Sequence, residues 1–232
     1  MLLHDSHPLI PMDAVVFDCD GTLSSIEGID ELAEANGVGA AVKKLTEEAM
    51  GHTGINPQLY RQRLALVLPT VKQVRTLGEK YFLHKTADLL TVLQVLTDLG
   101  KAVYVVSAGL YPAVVGFALR LNLPQSHVFA VEVYFDDSGN YLDFDHRSPL
   151  VLADGKRHIV EQLKKQHPRL VYVGDGLNDM ATQDIVTRFV GYGGAYYREN
   201  IRQMCQYYIT EPSMLPLLPL CLTAEEMQFA TS

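Results

Sequence analysis

Apolar positions along the chain follow two periods. Ala14 to Phe17 form a short continuous apolar run that ends in Asp18-Cys19-Asp20-Gly21-Thr22. Two later segments repeat the pattern, Val103 to Val106 running into Ser107 and Leu170 to Gly174 into Asp175. Runs of this kind read as buried strands of a parallel sheet. In open α/β sheets ligands sit beyond the carboxyl ends of the strands, so these three polar ends are expected to share one crevice although they lie far apart in sequence.

Between the first two strands lie about eighty residues dominated by helical periodicity, far more than one crossover needs. Ile26, Ile29, Leu32 and Ala33 form one stripe, Val42, Leu45 and Ala49 a second, and Val71, Val74, Leu77 and Tyr81 a third; Gly37, Gly51, Gly54, Pro57 and Pro69 separate them. The expected architecture is a Rossmann-like, doubly wound, mainly parallel α/β core (12–22 and 87–232) carrying a small helical cap domain inserted after the first strand (23–86). Leu89, Val92, Leu93, Leu96 and Leu99 predict a core helix ending at Gly100. Leu110, Val114, Phe117, Ala118 and Leu121 predict another, after a tight loop at Ser107-Ala108-Gly109. Alternation at Val131–Phe135 and Tyr141–Phe144, around Asp136-Asp137-Ser138-Gly139-Asn140, predicts a β-hairpin. Gly155–Lys165 reads as a surface helix, and the tail from Thr210 carries no chemical signal.

Charge and composition narrow the partners. The 232 residues hold 19 Lys and Arg against 27 Asp and Glu, a net charge of −8, which disfavours nucleic acid and other polyanions. Ala102–Leu119 is uncharged, but its β-branched first half and the interruption at Ser107, Ala108, Gly109 and Pro112 predict strand, loop and helix, with no membrane span. Cys19, Cys205 and Cys221 have no metal-binding spacing and fit a reducing, cytoplasmic setting. The N-terminal residues lack a cationic start and an apolar stretch, unlike a signal peptide.

Asp18 and Asp20 face one site only if the chain turns, which Gly21 permits. Adding Asp175 and Asp179 concentrates carboxylates that repel by about 4 kcal/mol per pair at 4 Å and an effective dielectric near 20. Such a cluster calls for a cation, and all-oxygen ligands suit Mg²⁺. A Mg²⁺-carboxylate site suits phosphoryl transfer, with one carboxylate attacking phosphorus and with Ser107 and Lys156 as donors to the phosphate. Lys156 also begins a helix, where backbone N–H groups favour an anion.

The ordered set Asp18-Cys19-Asp20-Gly21-Thr22, Ser107, Lys156 and Gly174-Asp175-Gly176-Leu177-Asn178-Asp179 resembles the four motifs of the haloacid dehalogenase superfamily. Ile26 to Ala33, Ala49-Met50-Gly51 and Arg63 to Leu66 resemble the cap of its phosphoserine phosphatase family. The resemblance implies Asp18 as nucleophile, Asp20 as general acid and then base, Ser107 and Lys156 as phosphate ligands, and metal contacts from the Asp18 carboxylate, the Asp20 carbonyl and Asp175. It implies that Asp179 binds metal water or orients Lys156. Glu27 and Arg63 would meet the amino and carboxylate groups of phosphoserine, with Met50, Gly51, Ala108, Gly109 and Asn178 at the substrate. The chain departs from the family pattern at Gly21, Ala108 and Asn56, the last at an expected pocket position. The expected activity is Mg²⁺-dependent hydrolysis of O-phospho-L-serine. The alternatives are another small-metabolite phosphatase or phosphotransferase and a silent phospho-metabolite binding protein.

Overall fold

The computed structural model describes residues 7–50 and 56–230, the side chains of 47–50 and 230 apart. Its strands are β1 (Ala14–Phe17), β2 (Ala102–Leu110), β3 (Val128–Val131), β4 (Val133–Phe135), β5 (Tyr141–Phe144), β6 (Leu170–Gly174), β7 (Arg188–Tyr192) and β8 (Tyr207–Ile209). Six of them form one parallel sheet in the order β3-β2-β1-β6-β7-β8, while β4 and β5 pair as an antiparallel hairpin. Every residue of β1 is fully buried, as expected for a strand with neighbours on both edges and helices on both faces. The strand order reverses beside β1, the place where such sheets open a crevice. Phe17 lies level with Val105 and Val173, so the register alone brings Asp18, Ser107 and Asp175 to one end of the sheet.

The insertion between β1 and β2 holds α1 (Gly28–Ala35), α2 (Gly39–Met50), α3 (Pro57–Val67) and α4 (Val71–Leu83). The chain enters and leaves it through a zipped neck. Ser24 and Lys85 form an antiparallel bridge, and the Thr86 amide donates to the Leu23 carbonyl at 2.9 Å. Thr70 and Gln73 close a capping box at the start of α4, which satisfies amides the first turn would otherwise leave unpaired.

Core helices follow as α5 (Leu89–Asp98), α6 (Tyr111–Arg120) and α7 (Gly155–Lys164). Gly100 ends α5 as the sequence predicts: its φ of 71° lets Lys101 donate to Leu96 and Gly100 to Thr97, the paired bonds of a Schellman motif. Gly78 of α4 lets that helix lie against α6, since a Cβ there would stand 2.8 Å from the Ala113 carbonyl oxygen. The hairpin also reaches the insertion. Its Gly139 carbonyl accepts from the Val71 amide at 2.9 Å, and Phe144 packs on Tyr60 with ring centroids 4.9 Å apart.

Two readings of the sequence need correction. Residues 107–109 are not a tight loop but an irregular continuation of β2, whose register shifts between Val106 and Leu110. Val131 closes β3 instead of opening the hairpin. After α8 (Leu177–Met180) come β7, α9 (Glu199–Met204) and β8, and the tail from Thr210 then forms α10 (Leu218–Cys221) and α11 (Ala224–Ala230). Glu226 of α11 pairs at 2.7 Å with the buried Lys101 ammonium, which also donates to the Met12 carbonyl. Among the described residues no helix is long and apolar enough to cross a membrane.

Candidate active site

The end of β1 delivers Asp18, and the Val173 carbonyl of β6 accepts from its amide at 2.9 Å, so the residue is still held by the sheet. Gly21 then turns the chain at φ 68° and passes so close to Asp175 that a Cβ would lie 2.7 Å from its carboxylate. Asp18, Asp175 and Asp179, all buried, present carboxylate oxygens within 4.8 Å of one another. Lys156 enters from the first turn of α7. Its ammonium, fully buried, lies 2.7 Å from Asp18 Oδ1 and 2.6 Å from Asp179 Oδ1.

The electrostatics follow from that confinement. Burial and the Asp179 carboxylate push the Asp18 carboxyl well up, against the pull of Lys156. Burial, then Asp179, pushes Asp175 up to about 7, while Arg198 opposes the shift. Burial alone would lower the Lys156 ammonium, but Asp179 and Asp18 outweigh it and hold the group above its ordinary value. Carboxylates crowded in this way ionise together only when positive charge is added, and three hard oxygen donors fit a Mg²⁺ ion. Asp179 is the least available of the three. Oδ1 accepts from Lys156 and from Tyr172 Oη at 2.8 Å, and Oδ2 from the Gly176 amide at 2.9 Å.

Asp20 is directed elsewhere. Its Oδ1 accepts from the Gly28 amide at 2.6 Å and from Tyr81 Oη at 2.7 Å, and its Oδ2 lies 3.4 Å from Ser107 Oγ. Ser107 is fully buried, and its Oγ accepts from the Gly109 amide at 2.9 Å.

A cavity of about 670 Å³ opens over these groups, a volume suited to a small metabolite. Asp18, Asp20, Lys156, Asp175, Asn178, Ala108 and Gly109 line it from the sheet, and Glu27 and Arg63 from the insertion. Burial and the field of Asp20 and Asp175 push the Glu27 carboxyl up to about 8. Arg63 carries a buried Nε with no hydrogen-bond partner among the described residues, and burial draws its guanidinium below the ordinary value. Ser107 and Asp179 stand just behind the lining. Asn56 is not on the cavity wall: its side chain caps α3 by accepting from the Leu59 amide at 2.9 Å, which corrects the pocket position expected for it. Gly51 and the Met50 side chain lie outside the described residues.

Sequence reasoning passed over Arg198. It stands after the end of β7 and donates to Asp175 Oδ2 at 2.9 Å, with Glu27 Oε1 3.8 Å away. The signal was present, because Phe189 to Tyr192 followed by Gly193-Gly194 is a fourth strand end feeding the same crevice. Tyr60, which donates to the Ala108 carbonyl at 3.1 Å, was missed as well.

A model of the haloacid dehalogenase-like hydrolases matches residues 12–182. The phosphoserine phosphatase of Bos taurus is 35% identical over 201 residues, covering 86% of this chain and 89% of its own. Two solved structures are similar across most of both chains. A phospho-aspartyl intermediate analogue of phosphoserine phosphatase superposes with a TM-score of 0.74 at 26% identity, covering 90% of this chain and 98% of its own. A substrate-bound phosphoserine phosphatase gives 0.75 at 25%, with 90% and 97% covered.

Proposed function

Because the chain belongs to the haloacid dehalogenase-like hydrolases, and within them to the phosphoserine phosphatase family, we propose that it hydrolyses O-phospho-L-serine to serine and phosphate through a phosphoaspartate on Asp18. The observation that carries this reading is the buried Asp18–Lys156–Asp179 cluster at a cavity that the insertion lines with Glu27 and Arg63.

Both donors on Asp18, the Lys156 ammonium and the Cys19 amide at 2.8 Å, engage Oδ1, which leaves Oδ2 to attack. As the Oδ2–P bond forms, the bond from phosphorus to the serine oxygen breaks and Asp20 gives that oxygen its proton. Asp20 then takes a proton from the water that attacks the phosphoaspartate, which releases phosphate, frees the Asp18 carboxylate and returns Asp20 to its acid form. Lys156 and Ser107 hold the transferring phosphoryl group, and Asp179 orients Lys156 through its 2.6 Å bond. Asp18, Asp175 and the Asp20 carbonyl would hold Mg²⁺, which would supply the positive charge that keeps the nucleophile ionised and offsets the phosphoryl charge. Residues 23–86 act as a cap that sequesters the substrate, with Glu27 taking its ammonium and Arg63 its carboxylate.

Phosphate release across phosphoserine, phosphothreonine, phosphoethanolamine and sugar phosphates tests the reading. Phosphoserine is expected to lead the panel, EDTA to abolish turnover and Mg²⁺ to restore it, and Asp18→Asn to be inactive with an unchanged melting curve. Turnover that survives in Asp18→Asn removes the nucleophile assignment.

A further inference from the structure

The third helical stripe of the insertion ends in Tyr81, a fully buried tyrosine that stands at the cavity lining. That hydroxyl donates to Asp20 Oδ1 at 2.7 Å, on the same oxygen that accepts from the Gly28 amide at 2.6 Å. Two donors occupy both lone-pair directions of Oδ1. The other oxygen, Oδ2, faces Ser107 Oγ at 3.4 Å and the Gly109 backbone, where a Cβ would stand 3.1 Å away.

The surroundings hold the phenol in place. Its ring stacks on Phe117 of α6 with centroids 5.7 Å apart at 29°, and Ser24 of the neck donates to the Tyr81 carbonyl at 3.1 Å. Gly28 leaves the space the hydroxyl fills, since a Cβ at that position would come within 2.0 Å of Tyr81 Oη.

We propose that Tyr81 is a positioning residue for proton transfer: by filling Oδ1 together with Gly28, it fixes the Asp20 carboxyl so that Oδ2 carries the proton exchanged with the leaving oxygen. This inference rests on the hydrolase reading above but not on the identity of the leaving alcohol. A cap residue thereby helps set the acid of the core, and the acid is aligned only while α4 is seated.

The consequence is a leaving-group dependence that general damage would not produce. Acidic phenols depart without protonation, whereas alkoxides and weakly acidic phenols need the proton. The test is kcat/KM, which reports the steps through leaving-group release, for Tyr81→Phe across aryl phosphates from p-nitrophenyl to phenyl and for phosphoserine, all with saturating Mg²⁺. Phenylalanine keeps the ring against Phe117, and the melting temperature is measured alongside. The expected loss is under about twofold for p-nitrophenyl phosphate and rises to roughly tenfold for phenyl phosphate and phosphoserine, the size of effect that residues supporting a reacting group show. Gly28→Ala, whose methyl displaces the hydroxyl, is expected to steepen the same series. A uniform loss along the series, or none in either variant, overturns the inference. A steepened aryl series in a protein that ignores phosphoserine upholds it and overturns the substrate assignment instead.

Discussion

Arg63 shows how a single side chain divides recognition from chemistry. It lines the cavity from the insertion, and its buried Nε has no partner among the described residues. An Arg63→Ala variant is expected to lose roughly 10- to 100-fold in kcat/KM for phosphoserine, the value of one or two hydrogen bonds to a charged group, while a simple aryl phosphate changes by less than about threefold. Parallel steady-state kinetics on the two donors check this, and equal losses would remove Arg63 from substrate recognition. Asp18, Asp20, Ser107, Lys156, Asp175 and Asp179 were legible at this scale because each follows directly on, or lies near, a strong local signal, a strand end or a helix start. Tyr81 was not, and Arg198 was announced only by the strand end before it, since each gains its meaning from a carboxylate more than twenty residues away. Asn56 misled because an asparagine before Pro57 serves a helix terminus as readily as a pocket.

At the scale of elements, the helices were readable wherever a 3.6-residue stripe met a breaker, as for α5 and its Gly100 cap. The three-residue strand β8 escaped because it gains its pairing from β7, which no local pattern announces, whereas β7 carried the strand-end signal described above. The contact between α4 and α6 was equally invisible, since Gly78 in a helical stripe reads only as a weak helix former. Packing reverses that reading. Gly78→Val raises helix propensity, but its Cβ meets the Ala113 carbonyl, a backbone atom with no rotamer to yield. The variant is expected to be less stable by about 1–3 kcal/mol, as over-packed sites are, and the shift in the denaturant midpoint measures it. An unchanged or higher midpoint would show that the two helices have room to part.

Across the whole molecule, the segment before β1 and helix α11 are tied together at the foot of the sheet, away from the reacting groups. Lys101 holds Met12 before β1 and Glu226 in α11 with one buried ammonium. Glu226→Ala leaves that charge without its carboxylate and is expected to cost about 3–5 kcal/mol, seen as a melting temperature lower by several degrees. The paired replacement Lys101→Met with Glu226→Leu is expected to recover most of the loss, which a purely local role for Glu226 would not allow. The general architecture, a parallel sheet bearing a helical insertion, was legible because apolar runs and polar strand ends recur in order. The fastening of distant segments was not. Of the four inserted helices, α4 is anchored along its whole length, to the hairpin at Val71, to α6 at Gly78 and to Asp20 at Tyr81. It behaves as part of the frame. Because α1 also reaches Asp20 through the Gly28 amide and α3 reaches Ala108 through Tyr60, any substitution meant to speed or slow escape from the cavity should spare these ties.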